Sequence, residues 1–286
     1  NVVIWRVPRG ESLVSPPSHC PKCGHAIRPW ENIPILSWLF LRGRCSSCRN
    51  PISVRYPTVE LLTALVFLGV WLRVWQGAYP LTATLSLATV AAMTIVGAFT
   101  DFDLRIIPNK ATYSGMIIAV ILAVAMPSGR MLAPAATDAK VAESRVLVAP
   151  LVESISDTQA FPRVAAVLDV SVSAGLALLI LVTIRELGRL CFGRNLKNMN
   201  PDAPPDALGL GDVKLLVAIA ALLGFEAFVF VLLLASIAGF GFGLARMVCR
   251  PGRSPLIPFG PYIAFGSVVW MMTGSWIQSV FESFPR

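Results

Sequence analysis

Acidic side chains at the ends of long apolar runs are costly beside lipid, and this sequence carries them at two places. Asp101 closes a run that ends Val96-Gly97-Ala98-Phe99-Thr100, with Asp103 two residues beyond; Asp212 opens the run Val213 to Phe225 and follows Gly209-Leu210-Gly211. Two carboxylates brought close together cannot both ionise. They share a proton, one acting as base toward a water while the other polarises a carbonyl, which is the chemistry of peptide hydrolysis without a covalent intermediate. Asp101 and Asp103 point to nearly opposite faces of a helix, so only one of them can join Asp212. An interfacial aspartate can equally serve as a helix cap, and Asp212 ahead of Lys214 is well placed to do so. The glycines before Asp212 predict positive φ and room for an extended strand, which makes Gly209, Gly211 and Lys214 the positioning candidates. Helix polarity predicts that Asp212, at an N-terminus, is the ionised partner and that Asp101, at a C-terminal end, carries the proton.

A second constellation lies near the start. Cys20-Pro21-Lys22-Cys23-Gly24 and Cys45-Ser46-Ser47-Cys48, separated by 21 residues, have the spacing of two knuckles that close a tetrahedral four-thiolate site. Filling all four positions from protein points to a structural Zn²⁺; a redox dithiol or unligated thiols are the alternatives. His19 and His25 flank the first pair as alternative ligands, supporting groups or solvated loop residues. Cys191 and Cys249 stand alone near the ends of apolar runs and are expected to be packing residues.

The elements that must hold these groups are apolar. Of 286 residues 55% are hydrophobic and 14% charged, with mean hydropathy +0.69, against about 25% charged in soluble domains. Residues 1–57, rich in Pro, Cys and Arg, form a small polar domain too short for a strong core of its own. Seven apolar runs follow, at 58–75, 80–100, 111–126, 164–187, 212–225, 227–248 and 258–281, the fifth short enough to be a half-helix or buried segment. The fold class is therefore an all-α polytopic membrane protein of about seven transmembrane helices in 58–286, with an N-terminal zinc-ribbon-like domain. The short apolar start, Val2 to Trp5, reads as the tail of a missing first helix or as a buried edge of the polar domain. The net charge of +8 would suit nucleic acid or a membrane surface, and the placement of the basic residues favours the membrane. With 1–57 inside, eighteen Lys and Arg flank the spans on the inner side and six, Arg73, Arg130, Lys140, Arg145, Arg163 and Arg286, on the outer. Both aspartate neighbourhoods then face the cytoplasm. The stretch 127–162 becomes a long outer loop without evident chemistry.

With these residues in view, the chain resembles the type IV prepilin peptidases, membrane aspartic proteases that carry a G-x-G-D signature. The likeness rests on Asn32-Ile33-Pro34, Gly43-Arg44-Cys45, Arg55-Tyr56-Pro57 and Glu60 around the cysteine domain. Further along it rests on Asp101 with Pro108 and Asn109, on Gly209-Leu210-Gly211-Asp212-Val213-Lys214-Leu215, and on Ile257-Pro258-Phe259-Gly260-Pro261. It implies that Asp101, seven residues before its Pro, and Asp212, closing G-x-G-D, are the catalytic pair. It also implies a bacterial inner-membrane enzyme that removes the basic leader of prepilins or type II secretion pseudopilins after a Gly, at the cytoplasmic face. N-methylation of the new amino group from S-adenosylmethionine is implied as well, although no glycine-rich loop marks the methyl-donor site. The competing readings are a membrane-anchored zinc-ribbon interaction module, which needs no aspartates, and a transporter, which would carry its acids deep within spans.

Overall fold

A backbone in lipid must satisfy its own hydrogen bonds, so apolar runs of this length fold as helices. The computed structural model describes residues 1–126, 161–199, 208–249 and 258–283. Within them all seven apolar runs are helical: α3 (Arg55–Trp75), α4 (Thr84–Leu104), α5 (Asn109–Ala125), α6 (Phe161–Met199), α7 (Leu210–Leu223), α8 (Phe225–Cys249) and α9 (Gly260–Ser283). Two short helices, α1 (Val2–Arg6) and α2 (Leu36–Phe40), precede them. Among the described residues, β-structure is limited to two isolated bridges, His19 with Ala26 and Arg44 with Pro51.

Among the described residues, four stretches are long and apolar enough to cross a membrane: Arg55–Trp75, Leu81–Leu104, Ala166–Cys191 and Phe225–Cys249. Length and hydropathy alone thus mark four of the roughly seven expected spans; α5 (17 residues) and α7 (14 residues) are too short for the same standard, and α9 (24 residues) is not among the four. The expected outer loop falls almost wholly outside the described residues.

The chain divides into two compact units, Asn1–Gly69 and Val70–Arg286. In the first, Glu60 accepts hydrogen bonds from the Ile35 backbone N–H (2.8 Å) and from Asn1 Nδ2 (3.2 Å). These tie α3 to the segment ahead of α2. Helix α1 buries Ile4 and exposes Val2, Val3 and Trp5.

In the second unit α7 is the central helix. Val213 and every residue from Leu215 to Leu223 are buried, and α4, α5, α6 and α8 all contact it. A helix apolar on every side belongs inside a bundle, which accounts for a run too short to span by itself. Gly224, at φ 94°, caps α7 and lets the chain turn directly into α8. Helix α4 ends when Arg105 enters the left-handed region and donates its N–H to the Asp101 carbonyl (2.9 Å), and Pro108 then starts α5. Helices α4 and α9 run antiparallel in contact. At the start of α4 the Tyr79 hydroxyl donates to the Trp270 carbonyl (3.1 Å), whereas the end of α4 meets the first residue of α9. Where α8 and α9 cross, a Cβ on Gly266 would lie 3.0 Å from the Val231 carbonyl oxygen. Outward faces stay apolar, as with Leu233, Ile237, Phe240 and Leu244 along α8, which is the surface a lipid solvent demands. Cys191 and Cys249 belong to that exterior: both are exposed, which corrects their expected packing role.

Candidate active site

Helix α4 turns Asp101 inward and Asp103 outward. Asp101 is 7% exposed, and Asp103, two residues on, lies on the exposed face. The Asp101 Oδ2 accepts the backbone N–H of Gly260 at 2.7 Å. That amide is the first of α9. Of the other donors in its turn, Pro261 has none, and Tyr262 and Ile263 both donate to the Phe259 carbonyl (3.0 and 3.2 Å). The contact leaves no space for a side chain, since a Cβ on Gly260 would stand 2.9 Å from both Asp101 Cβ and Asp101 Oδ2.

Asp212 lies in the first turn of α7, after the N-cap Gly209. Its Oδ1 is buried without a hydrogen-bond partner, and its Oδ2 lies 2.9 Å from where a Cβ of Gly209 would be. Neither glycine has the expected positive φ; Gly209 is extended, at φ −66° and ψ 142°. What requires glycine is closeness. A Cβ on Gly211 would sit 3.0 Å from Ile107 Cβ, in the loop between α4 and α5, and one on Gly97 would sit 3.3 Å from Leu215 Cδ2. Gly97 lies one turn before Asp101 and Leu215 one turn after Asp212, so this contact brings the last turn of α4 level with the first turn of α7. The two carboxylates are within electrostatic range of one another.

Lys214 is not turned toward them. Its Nζ donates to Asn109 Oδ1 (2.9 Å) and lies 5.4 Å from the centre of the Tyr113 ring, which directs it to α5. The residue missed by sequence reasoning is Gly260. It lies within the Ile257-Pro258-Phe259-Gly260-Pro261 segment, but nothing local marks its amide as the partner of a carboxylate 159 positions away.

In the N-terminal unit the sulfurs of Cys20, Cys23, Cys45 and Cys48 all lie within 4.8 Å of one another. The two knuckles are built alike. After each second cysteine the chain enters the left-handed region, at Gly24 (φ 71°) and Arg49 (φ 60°), and each first cysteine is held by a backbone pair, Cys20 N–H to His25 O and Cys45 N–H to Asn50 O (both 2.9 Å). Backbone N–H groups of Cys23 and Lys22 draw the Cys20 thiol down to about 6, and those of Cys48 and Ser47 lower Cys45. Cys48 goes the other way, to about 11, because desolvation and the three neighbouring sulfurs outweigh the Asn50 N–H. Four thiols this close cannot all ionise unless a cation joins them, so the cluster is compatible with a metal site. The histidines are not part of it. His25 Nε2 pairs with Glu31 Oε2 (3.1 Å) and Ser46 Oγ (3.2 Å), bridging the knuckles, and His19 Nδ1 meets the Pro17 carbonyl (3.1 Å).

Known proteins match on both units. Residues 1–74 match the bacterial peptidase A24 N-terminal domain and residues 145–244 match the type IV leader peptidase family, so Asp212 lies within a matched segment and Asp101 between the two. A prepilin leader peptidase/N-methyltransferase of Aeromonas salmonicida (strain A449) is 32% identical over 267 residues, covering 92% of this chain and 73% of that protein. One from Pseudomonas aeruginosa is 31% identical over 277 residues, covering 96% and 77%. One from Myxococcus xanthus is 49% identical over 123 residues, covering 43% of this chain and only 36% of that protein. No solved structure matches the chain. Helices long and apolar enough for lipid, a paired-cysteine N-terminal unit and these alignments together assign the chain to the type IV leader peptidase family of multi-pass bacterial membrane proteins.

Proposed function

We propose that this protein is a prepilin leader peptidase in which Asp101 and Asp212 activate one water to cleave a prepilin or pseudopilin after a Gly, and that it then N-methylates the new amino terminus. The observation that supports the reading is a buried Asp101 at the end of α4 and a half-buried Asp212, its Oδ1 enclosed, at the start of α7, on two helix turns that the Gly97–Leu215 contact holds level. Burial makes each acid costly unless the pair is used, and a shared proton supplies both the base and the acid that amide hydrolysis needs. The distribution of Lys and Arg supports a cytoplasmic location for that end. A seven-span arrangement, in which α5 and α7 complete their passage among longer neighbours, accommodates both aspartates there.

Cys20, Cys23, Cys45 and Cys48 would hold a structural Zn²⁺, whose contribution is to cross-link the two knuckles of a unit with little core. The methyl donor would be S-adenosylmethionine, as the names of the relatives suggest. Residues 1–57 are the proposed methyltransferase-associated domain and 58–286 the peptidase domain.

The test is incubation of the purified chain with a prepilin, followed by mass analysis of the new N-terminus, which reports cleavage and methylation together. Asp101→Asn and Asp212→Asn, each accumulating normally in membranes, are expected to abolish cleavage. Normal processing by either variant would refute the dyad. An interaction module built on the cysteine domain would lose nothing from these substitutions.

A further inference from the structure

Two helix N-termini converge on the aspartates, and only one of them belongs to a helix that carries an aspartate. Asp212 sits in the first turn of its own helix, which by itself predicts that Asp212 is the ionised partner. Yet Asp212 has only the Gly209 backbone N–H near its carboxyl and its Oδ1 is buried with no donor, while Asp101 Oδ2 receives the first amide of α9 in a full hydrogen bond at 2.7 Å. Pro261 contributes no N–H, and the next two amides are spent on Phe259, so the Gly260 N–H is the free donor of that turn and points at Asp101. An N–H aimed at a carboxylate favours the charged form, and an orphaned buried oxygen favours the form that carries the hydrogen.

We propose that Gly260 is a positioning residue of the peptidase: its amide holds Asp101 as the carboxylate and thereby assigns the shared proton to Asp212. This inference rests on the dyad reading above. The charged side chains nearby do not supply such a donor. Lys214 is engaged with Asn109, Asp103 is on the outer face of α4, and Arg105, exposed beyond the end of the helix, acts on Asp101 through its charge and makes no hydrogen bond to it. Among the described residues, the first turn of α9 contains no charged residue.

The assignment sets the direction of the reaction. Asp101 takes a proton from water as the water oxygen bonds to the scissile carbonyl carbon, and Asp212 gives its proton to the carbonyl oxygen, forming a neutral diol. Collapse of the diol breaks the C–N bond. The proton on Asp101 passes to the leaving amine, and a diol hydroxyl returns a proton to Asp212, so the pair ends as it began.

The experiment uses the full chain labelled with carbon-13 at aspartate Cγ and purified in lipid nanodiscs. Resonances are identified by their disappearance in Asp101→Asn and Asp212→Asn. In the wild-type protein the Asp101 signal is expected at the carboxylate position and the Asp212 signal at the carboxylic acid position. In Gly260→Ala, whose Cβ must displace Asp101 Oδ2, the Asp101 signal is expected to move toward the acid position. Turnover should fall on the order of 10²-fold, the low end of what a misplaced general base costs, with KM little changed. A fall caused only by misfolding would leave neither resonance resolved. If Gly260→Ala fails to accumulate, the wild-type spectrum alone decides. Asp101 at the acid position, or a Gly260→Ala enzyme with unchanged resonances and rate, overturns the proposal. Should either Asp→Asn variant still cleave normally, it is the dyad reading that fails.

Discussion

Gly211 offers a measure of how closely the proposed dyad is held. Its hypothetical Cβ falls 3.0 Å from Ile107 Cβ, 3.4 Å from Ile107 Cγ1 and 3.5 Å from the Ile107 backbone nitrogen. Carbon pairs settle at roughly 3.5–4.0 Å, so Gly211→Ala must separate α7 from the 105–108 loop by about 0.5–1 Å. Ile107 is buried and is followed by Pro108, so the loop has little room to yield and the shift falls on the start of α7. Asp212 is the next residue. A displacement of about 1 Å at a catalytic group costs roughly 10²-fold in rate, and overpacking of this kind costs about 1–3 kcal/mol in stability. Gly211→Ala is therefore expected to fold, to bind prepilin, and to cleave about a hundredfold more slowly. The assay is the time course of leader removal by purified protein in nanodiscs, with rate and KM measured separately. Because the closest atom is Ile107 Cβ itself, Ile107→Gly is the change that makes room. The double variant Ile107→Gly/Gly211→Ala should recover part of the rate lost in Gly211→Ala. Cleavage by Gly211→Ala within a factor of two or so of wild type, or no recovery in the double variant, would refute the spacing argument.

Other consequences follow from the same contacts. Gly266→Ala puts a Cβ 3.0 Å from the Val231 carbonyl oxygen, a backbone atom, and should lower resistance to thermal aggregation by an amount equivalent to about 1–3 kcal/mol, read as a melting shift in detergent. Glu31 is held down to about 2, first by the Arg28 N–H and then by Ser46 and His25. Its folded value is depressed, so its contribution is present above the ordinary glutamate range and is lost as pH falls toward 2. Protease resistance of the N-terminal unit should accordingly persist below pH 4 in the wild-type protein, and Glu31→Gln should remove that acid-range dependence. Cys45→Ser, or treatment with a strong chelator, should expose residues 1–57 to proteolysis and impair methylation more than cleavage; equal loss of both activities in a well-expressed variant would contradict a purely structural metal.

What could be read from the sequence was what short-range chemistry decides. Cys20 and Cys23, or Cys45 and Cys48, need only a tight local turn to present two sulfurs together, so their spacing was informative. The apolar runs were legible because helix formation in lipid depends on composition more than on partners. Inside and outside were much harder to tell apart. A hydrophobic residue that faces lipid and one that faces another helix have the same composition, which is why Cys191 and Cys249 were expected to pack and are exposed. Lys214 illustrates a second limit: being two residues from Asp212 says nothing about direction, and Asn109 and Tyr113 on α5 decide it.

The glycines around the aspartates show why the rest required three dimensions. Read along the chain, a glycine before Asp212 suggests backbone freedom, yet Gly209 adopts a φ of −66°, open to any residue. Gly97 faces Leu215, Gly211 faces Ile107 and Gly260 faces Asp101, so each removes a side chain where another segment of the site approaches. Aspartate has a single methylene with which to reach a partner, and two such side chains on separate helices can cooperate only if the backbones come closer than ordinary packing allows. Three absent Cβ atoms, on α4, α7 and α9, supply that closeness. The same absence admits the Gly260 amide to Asp101, so the geometry that brings the acids together is also what distinguishes one from the other.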